Sequence, residues 1–241
     1  MLAIKTENLT KKFKDLTAVN ELNLEIEENE LYALLGVNGA GKSTTIRMLS
    51  CILKPTAGDA FILGKSINKE PLEVKKMIGV SLQETAVAGL LSVKENIELL
   101  CGIYGYSKEK TKSKLEELVD AFGLREVLNK RANKLSGGYQ RRLSIAMGLI
   151  SEPKVLFLDE PTLGLDVIVR EELWELIKEL KSKMTIILTT HYMEEAEALS
   201  DHIGIMKDGK LVAEGTCLEL KQRANEESFE KAFIKIIKES K

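Results

Sequence analysis

The sequence predicts an α/β fold, on three observations. Leu31–Leu35 and Val155–Leu158 are short, unbroken apolar runs, as strands buried in a sheet require. A helical pattern over Val167–Lys181 separates the second of these from another apolar run, Met184–Thr190, so strand and helix alternate. The first run leads directly into Gly36-Val-Asn-Gly-Ala-Gly-Lys-Ser-Thr44, and Thr44–Ser50 reads as the opening of a helix. That loop matches the pattern G-x-x-x-x-G-K-S/T, with Gly36, Gly41, Lys42 and Ser43 at its defining positions.

The elements follow in order. Alternating apolar residues mark strands at Leu2–Leu9 and Leu22–Glu27, ahead of the buried strand Leu31–Leu35. The helix after the glycine loop runs to about Ile52, and Pro55, Gly58 and Gly64 place turns around another short strand. Gly79–Gln83 is again strand-like. From Glu84 to Ile150 the pattern becomes helical. Ser92 and Glu95 form a capping box opening a helix through about Tyr104. Lys108–Phe122 carries Leu115, Leu118, Val119 and Phe122 at helical spacing, and Ser136 caps a third helix through Ile150. Ile203–Ala213 reads as a hairpin turning at Asp208-Gly209. The tail ends in a charged helix whose Phe229, Phe233, Ile236 and Ile237 share one face, expected to pack on the core. The expected organisation is therefore one domain: residues 1–83 and 151–215 form the core with its β-subdomain, 84–150 a helical insert and 216–241 a tail.

Composition narrows the function classes. The chain has 241 residues, 44% hydrophobic and 30% charged, with a net charge of −2. That is material for a large core, and a near-neutral balance argues against nucleic-acid binding driven by bulk charge. No 18-residue apolar stretch offers a membrane span, and the first residues lack the apolar centre of a signal peptide. Cys51, Cys101 and Cys217 are widely spaced, which points to reduced cytosolic thiols packed as small hydrophobes.

The motifs carry the chemistry. Backbone N–H groups of Gly36 and Asn38–Thr44, with the positive end of the following helix, converge on one place suited to a polyphosphate. Lys42 reaches the β- and γ-phosphates, and the Ser43 hydroxyl suits a Mg²⁺ shell. Val155–Glu160 sets two carboxylates at the carboxyl end of an apolar strand, where α/β sheets bind ligands. Asp159 is placed for the metal and Glu160 for orienting or deprotonating a water. Leu135-Ser-Gly-Gly-Tyr-Gln140 sets two glycines at a helix start, each costing about 1 kcal/mol relative to Ala. Such a sequence makes sense where backbone must come close to something. Ser136 as N-cap, with Gly137 and Gly138 behind it, forms a second anion cradle. One nucleotide hardly needs two cradles, so the second is expected to serve a nucleotide held by another copy.

With these motifs in this order, the chain resembles the nucleotide-binding subunits of ATP-binding cassette (ABC) transporters over nearly its whole length. The resemblance implies a RecA-like P-loop ATPase core, an N-terminal antiparallel β-subdomain and an inserted α-helical subdomain. Ser136, Gly137, Gly138, Tyr139 and Gln140 look like the signature, Val155–Glu160 like Walker B, and Pro161–Asp166 like the D-loop, with Asp166 retained. Gln83 falls at the Q-loop position, contributing to the Mg²⁺ site with Ser43 and Asp159, and His191 at the switch position. Phe13 lies where the family stacks an aromatic on adenine. Tyr139 and Leu163 depart from the commoner signature glutamine and D-loop serine. The implied cycle is a head-to-tail dimer, homomeric or with a paralogous subunit, closing on two MgATP and opening on hydrolysis. The implied partners are integral membrane permease subunits, the location the cytoplasmic face of the cell membrane, and nucleic acid is not expected as a partner. Thr190–Glu197 and Pro161–Asp166 are similar to the drug- and sodium-export branch, and no regulatory domain follows the core, so export is favoured. The alternative is a soluble ABC ATPase, such as an iron–sulfur assembly scaffold. Lys42 and Ser136 are too close for the long coiled coil of chromosome and repair members.

Overall fold

Two long antiparallel strands open the computed structural model, which describes residues 1–240: β1 (Leu2–Phe13) and β2 (Leu16–Glu27). Both are longer than the sequence pattern suggests. Bulges interrupt their pairing, and Asn8 and Glu21 take left-handed φ of 49°, which breaks the alternation that marks a strand. Next come β3 (Leu31–Gly36), α1 (Lys42–Leu49), β4 (Ala57–Ile62), β5 (Lys65–Ser66), α2 (Pro71–Met77) and β6 (Ile78–Ser81). The helix after the loop begins at Lys42, two residues before the expected opening. It ends at Leu49, short of Ile52, because Cys51 turns left-handed with φ 56°.

The helical stretch contains α3 (Val93–Ile103), α4 (Lys108–Ala121) and α5 (Gly137–Gly148). The Ser92 capping box is formed: its hydroxyl accepts from the Glu95 N–H, and the Glu95 carboxylate accepts from the Ser92 N–H. α5 stops at Gly148 rather than Ile150, because the amides of Leu149 and Ile150 bond three residues back and tighten the last turn. The chain continues through β7 (Val155–Asp159), α6 (Val167–Lys181), β8 (Thr185–Thr190), α7 (Met193–Leu199), β9 (His202–Lys207) and β10 (Lys210–Gly215), and ends in α8 (Cys217–Ala224) and α9 (Phe229–Glu239). The β9–β10 turn has Asp208 and Gly209 both at positive φ, as its sequence requires. The seven-residue helices α2 and α7 are too short to show a helical period.

Three layers result. A four-stranded sheet runs β2-β1-β4-β5, and a mostly parallel six-stranded sheet runs β10-β9-β3-β8-β7-β6. Side chains alternate across the larger sheet. Tyr32, Leu34, Val155, Phe157 and Ile187 pack toward the smaller sheet and α1. Leu31, Ala33, Leu35, Leu156, Leu158, Ile186 and Leu188 pack toward the helices of the opposite layer, α3–α9. Phe229, Phe233 and Ile236 of α9 are buried in that layer and Ile237 is half-buried, in agreement with the expected packing of the tail. Cys101 is buried, Cys51 and Cys217 are half-buried, and all three are free.

The start of α5 adds to one sequence argument. Gly137 is exposed, but Gly138 is buried against α6, where an added Cβ would lie 2.4 Å from Val169 Cγ1. The second glycine therefore also answers a packing need within the chain, which the sequence argument did not include. Gly138→Ala should destabilise the protein by about 1–3 kcal/mol through overpacking, despite alanine's better helix propensity. Adding Val169→Ala should recover most of that loss. Urea unfolding of the two single variants and the double variant measures the coupling; additive losses would contradict the contact.

Candidate active site

The site forms at the carboxyl ends of the parallel strands, as expected for an open α/β sheet. The loop Val37–Gly41 leaves β3 and turns into α1 through Gly41, at φ 102°. A side chain at Gly41 would meet the Ala18 carbonyl oxygen at 2.4 Å, so this position needs glycine for both conformation and space. The β9–β10 turn braces the loop: the Gly209 N–H donates to Ala40 O at 3.1 Å, and Asn20 N–H to Gly209 O at 2.8 Å. α1 begins with no side-chain cap and no acidic residue in its first turn. Its amides and its dipole are left for an anion.

Lys42 is buried, and its ammonium donates to Gly36 O at 2.7 Å and Val37 O at 3.2 Å. It also lies 3.8 Å from Glu160 Oε1. Burial pushes the Lys42 pKa down, against the attraction of Glu160 and Asp159. The adjacent Ser43 hydroxyl donates to Asp159 Oδ1 at 2.8 Å. The Thr189 hydroxyl at the end of β8 donates to the same oxygen at 2.5 Å. The strand register sets this up, because Asp159 and Thr189 are paired across β7 and β8.

Glu160 follows Asp159 in a left-handed conformation, φ 49°. Its amide is held by the Thr189 carbonyl and hydroxyl oxygens, each at 3.1 Å. The turn places Glu160 Oε2 2.9 Å from His191 Nδ1. That approach is close but not aligned as a hydrogen bond, since Nδ1 has no bonded partner. Glu160 and His191 thus lie side by side in the lining of a cavity of about 500 Å³. Asn38–Thr44 form its floor, Gln83 and Leu163 part of its wall, and Phe13, Leu16 and Ala18 its apolar end. Phe13 is 44% exposed, its ring open to the cavity, with Lys11 Nζ 5.1 Å from the ring centre.

The site fits a divalent cation. Asp159 Oδ2 is buried without a hydrogen-bond partner, the Ser43 oxygen keeps a lone pair after donating, and Gln83 faces the same cavity. No group of three His, Cys, Asp or Glu side chains forms a metal cage among the described residues. A set of one carboxylate and one hydroxyl suits Mg²⁺, which keeps waters and takes phosphate oxygens.

The structure therefore brings together Phe13, Asn38–Thr44, Gln83, Glu160 and His191, with Asp159 and the Gly36 carbonyl immediately behind. It does not bring Ser136–Gln140 or Asp166 into that cavity. Ser136 is exposed at the N-cap of α5, accepting weakly from Tyr139 N–H at 3.5 Å. Tyr139 is half-buried, and the Gln140 amide donates to Leu135 O at 3.2 Å. Asp166 caps α6 by accepting from Val169 N–H at 3.1 Å, a structural duty the sequence reading did not give it. Two further residues escaped that reading. Thr189 holds the Asp159 carboxylate and the Glu160 backbone amide, and two adjacent threonines before His191 were its only signal. Arg141 is buried and donates to the Leu82 and Gln83 carbonyls at 2.7 and 3.1 Å, tying α5 to the chain at Gln83.

This geometry agrees with what known proteins show. Residues 19–163 match the model of the family described as ABC transporter. The chain is 39% identical over 240 residues to a probable multidrug ABC transporter ATP-binding protein, YbhF, of Escherichia coli, covering 97% of this chain and 41% of that protein. It is 40% identical over 220 residues to the daunorubicin/doxorubicin resistance ATP-binding protein DrrA of Streptomyces peucetius, covering 91% of this chain and 67% of that protein. Among solved structures, the ATP-binding cassette MJ0796, a post-hydrolysis dimer with ADP and Pi, superposes with a TM-score of 0.80 at 31% identity, covering 88% of this chain and 98% of that one. The RecA-like P-loop core, the antiparallel sheet and the helices are those of such cassettes. The chain belongs to the ABC transporter family, as an ATP-binding cassette.

Proposed function

We propose that this chain is the ATP-hydrolysing motor of an exporter, acting with integral membrane permease subunits at the cytoplasmic face of the cell membrane. The observation that carries the reading is a divided site. One face holds a phosphate cradle, a carboxylate–histidine pair and an orphaned buried carboxylate oxygen, and the exposed N-cap Ser136 lies outside that cavity. A second copy, or a paralogous subunit, arranged head to tail would set its Ser136 and Gly137 against the nucleotide of the first. No helix among the described residues is long and apolar enough to cross a membrane, so a pore would come from elsewhere. Export, rather than import, rests on the multidrug and drug-resistance names of the relatives, and the chain spans 41% of the length of YbhF.

Each residue has a part in this reading. Phe13 stacks on the adenine, and the loop amides with Lys42 hold the phosphates. Ser43, Asp159 and Gln83 hold Mg²⁺, which when bound offsets phosphate charge as a Lewis acid. Glu160 takes the proton of the attacking water while His191 fixes its carboxylate. Gln83 sits beside a second cavity of about 400 Å³, lined by Ile52, Leu82, Leu100, Tyr104 and Met147 between α5, β6 and α3. An apolar cleft there suits a helix from the permease, and Gln83 links its occupancy to the phosphate site.

Two experiments test the reading. Glu160→Gln keeps the shape but cannot accept the proton, so MgATP should bind while hydrolysis falls at least a hundredfold. An ATP-stabilised dimer should then appear by light scattering. Wild-type turnover in this variant would remove Glu160 from the role of base. The second test pairs Lys42→Ala with Ser136→Arg, each expected to be inactive alone. Loss of the Ser136 cap costs only about 1 kcal/mol, so the fold survives. In a mixed head-to-tail dimer one site combines an intact loop with an intact signature, and partial ATPase activity should return. No recovery, while dimers of wild-type and mutant chains stay active, would rule out the composite site.

A further inference from the structure

Three carboxylates are buried among the described residues: Asp159, Glu160 and Glu195. The first two belong to the candidate site. Glu195, in α7, is fully shielded from solvent and has no part in the chemistry set out above. A buried carboxylate destabilises a fold unless its partners compensate it, so its surroundings are informative. Its Oε1 accepts from Thr162 Oγ1 at 2.8 Å and from Trp174 Nε1 at 3.2 Å. Burial pushes its pKa up, opposed by the nearby hydroxyls and indole N–H of Thr190, Thr162 and Trp174 and by the charge of Arg170. Oε2 has no hydrogen-bond partner of its own.

Glu195 and its partner Thr162 each lie close in sequence to one member of the catalytic pair. Thr162 follows Glu160 by two residues, and Glu195 follows His191 by four, in the first turn of α7. Glu160 holds a left-handed φ of 49°, a conformation that is costly for a non-glycine residue and is supported by its surroundings. Thr189 fixes the amide side. On the other side the chain passes through Pro161 to Thr162, whose hydroxyl is held by Glu195. The same region reaches His191 by packing. The Arg170 guanidinium lies 5.4 Å from the Trp174 ring and 5.8 Å from the Tyr192 ring, and the Tyr192 and His191 rings are 4.1 Å apart.

We propose that Glu195 is a positioning residue that locks the turn carrying Glu160 to the loop carrying His191. It sets the geometry of that pair for hydrolysis and leaves nucleotide binding alone, because none of its contacts reaches the phosphate loop. The inference rests on the ATPase reading given above. It is tested by steady-state hydrolysis and by calorimetric MgATP affinity for Thr162→Val, Glu195→Ala and Glu195→Gln in the full chain. Thr162→Val and Glu195→Ala should lower kcat at least tenfold with KM and Kd for MgATP within threefold of wild type. Glu195→Gln keeps an acceptor for Thr162 and Trp174 and should recover most of the lost rate. Should Glu195→Ala fail to fold, Thr162→Val, which deletes one hydroxyl, decides. A kcat within twofold of wild type in Thr162→Val, or affinity falling in parallel with rate, overturns the role of Glu195 while the ATPase reading stands. A wild-type chain inert toward MgATP overturns both.

Discussion

A single buried oxygen, Oδ1 of Asp159, accepts hydrogen bonds from Ser43 of α1 and Thr189 of β8. Three chain segments, distant in sequence, meet at that atom. The sheet order β3-β8-β7 makes this possible, because β8 lies between the strand that feeds the phosphate loop and the strand that ends in the carboxylates. A slip of one residue between β7 and β8 would turn Thr189 away from Asp159 and toward the opposite face. That register is enforced on both sides of the sheet. Phe157 and Ile187 are buried against the smaller sheet, while Leu156, Leu158, Ile186 and Leu188 are buried in the helical layer. The hydrophobic core thus fixes the position of a polar atom about which the chemistry is organised.

Much of this was legible in the sequence, for identifiable reasons. The glycine loop reads directly because Gly41 answers a steric need, with the Ala18 carbonyl where a side chain would go. The strands β3 and β7 read because burial on both faces leaves unbroken apolar runs. Where bulges shift the pattern, as along β1 and β2, the alternation fades and the strands read short. The site residues that escaped notice act through burial. Glu195 cannot be distinguished in sequence from Glu194 or Glu197, since only the fold decides which glutamate of α7 faces inward. Gly138 was legible only in part. Part of its need for glycine comes from Val169 across the α5–α6 contact, a neighbour that no local pattern reveals.

That α5–α6 contact also ties Ser136 to the rest of the chain. Gly138 packs on Val169, Arg142 pairs with Glu172, and Asp166 caps α6 through Val169. At the other side of α5, Arg141 donates to the backbone at Leu82 and Gln83, and the Ser144 and Ser81 hydroxyls lie 2.8 Å apart. The helix that presents Ser136 outward is therefore bonded both to the Asp166 segment and to the segment bearing Gln83. Buried hydrogen bonds of a guanidinium to carbonyls resist rearrangement, because breaking them leaves a charge without partners.

Lys42 shows why the cradle favours a polyphosphate. Its ammonium is buried, and its partners there are two carbonyls and a carboxylate at 3.8 Å. Burial depresses its pKa, which means that the charged form is undercompensated in this environment. A polyphosphate on the loop amides brings the missing negative charge within reach of the same ammonium, and charge-assisted bonds of that kind are about twice as strong as neutral ones. The contact between Lys42 and Glu160 then has a competitor. Glu160 has two charged or polar neighbours, Lys42 at 3.8 Å and His191 at 2.9 Å, and a phosphate would compete for the first. One side chain, Lys42, thus lies against both the phosphate loop and Glu160.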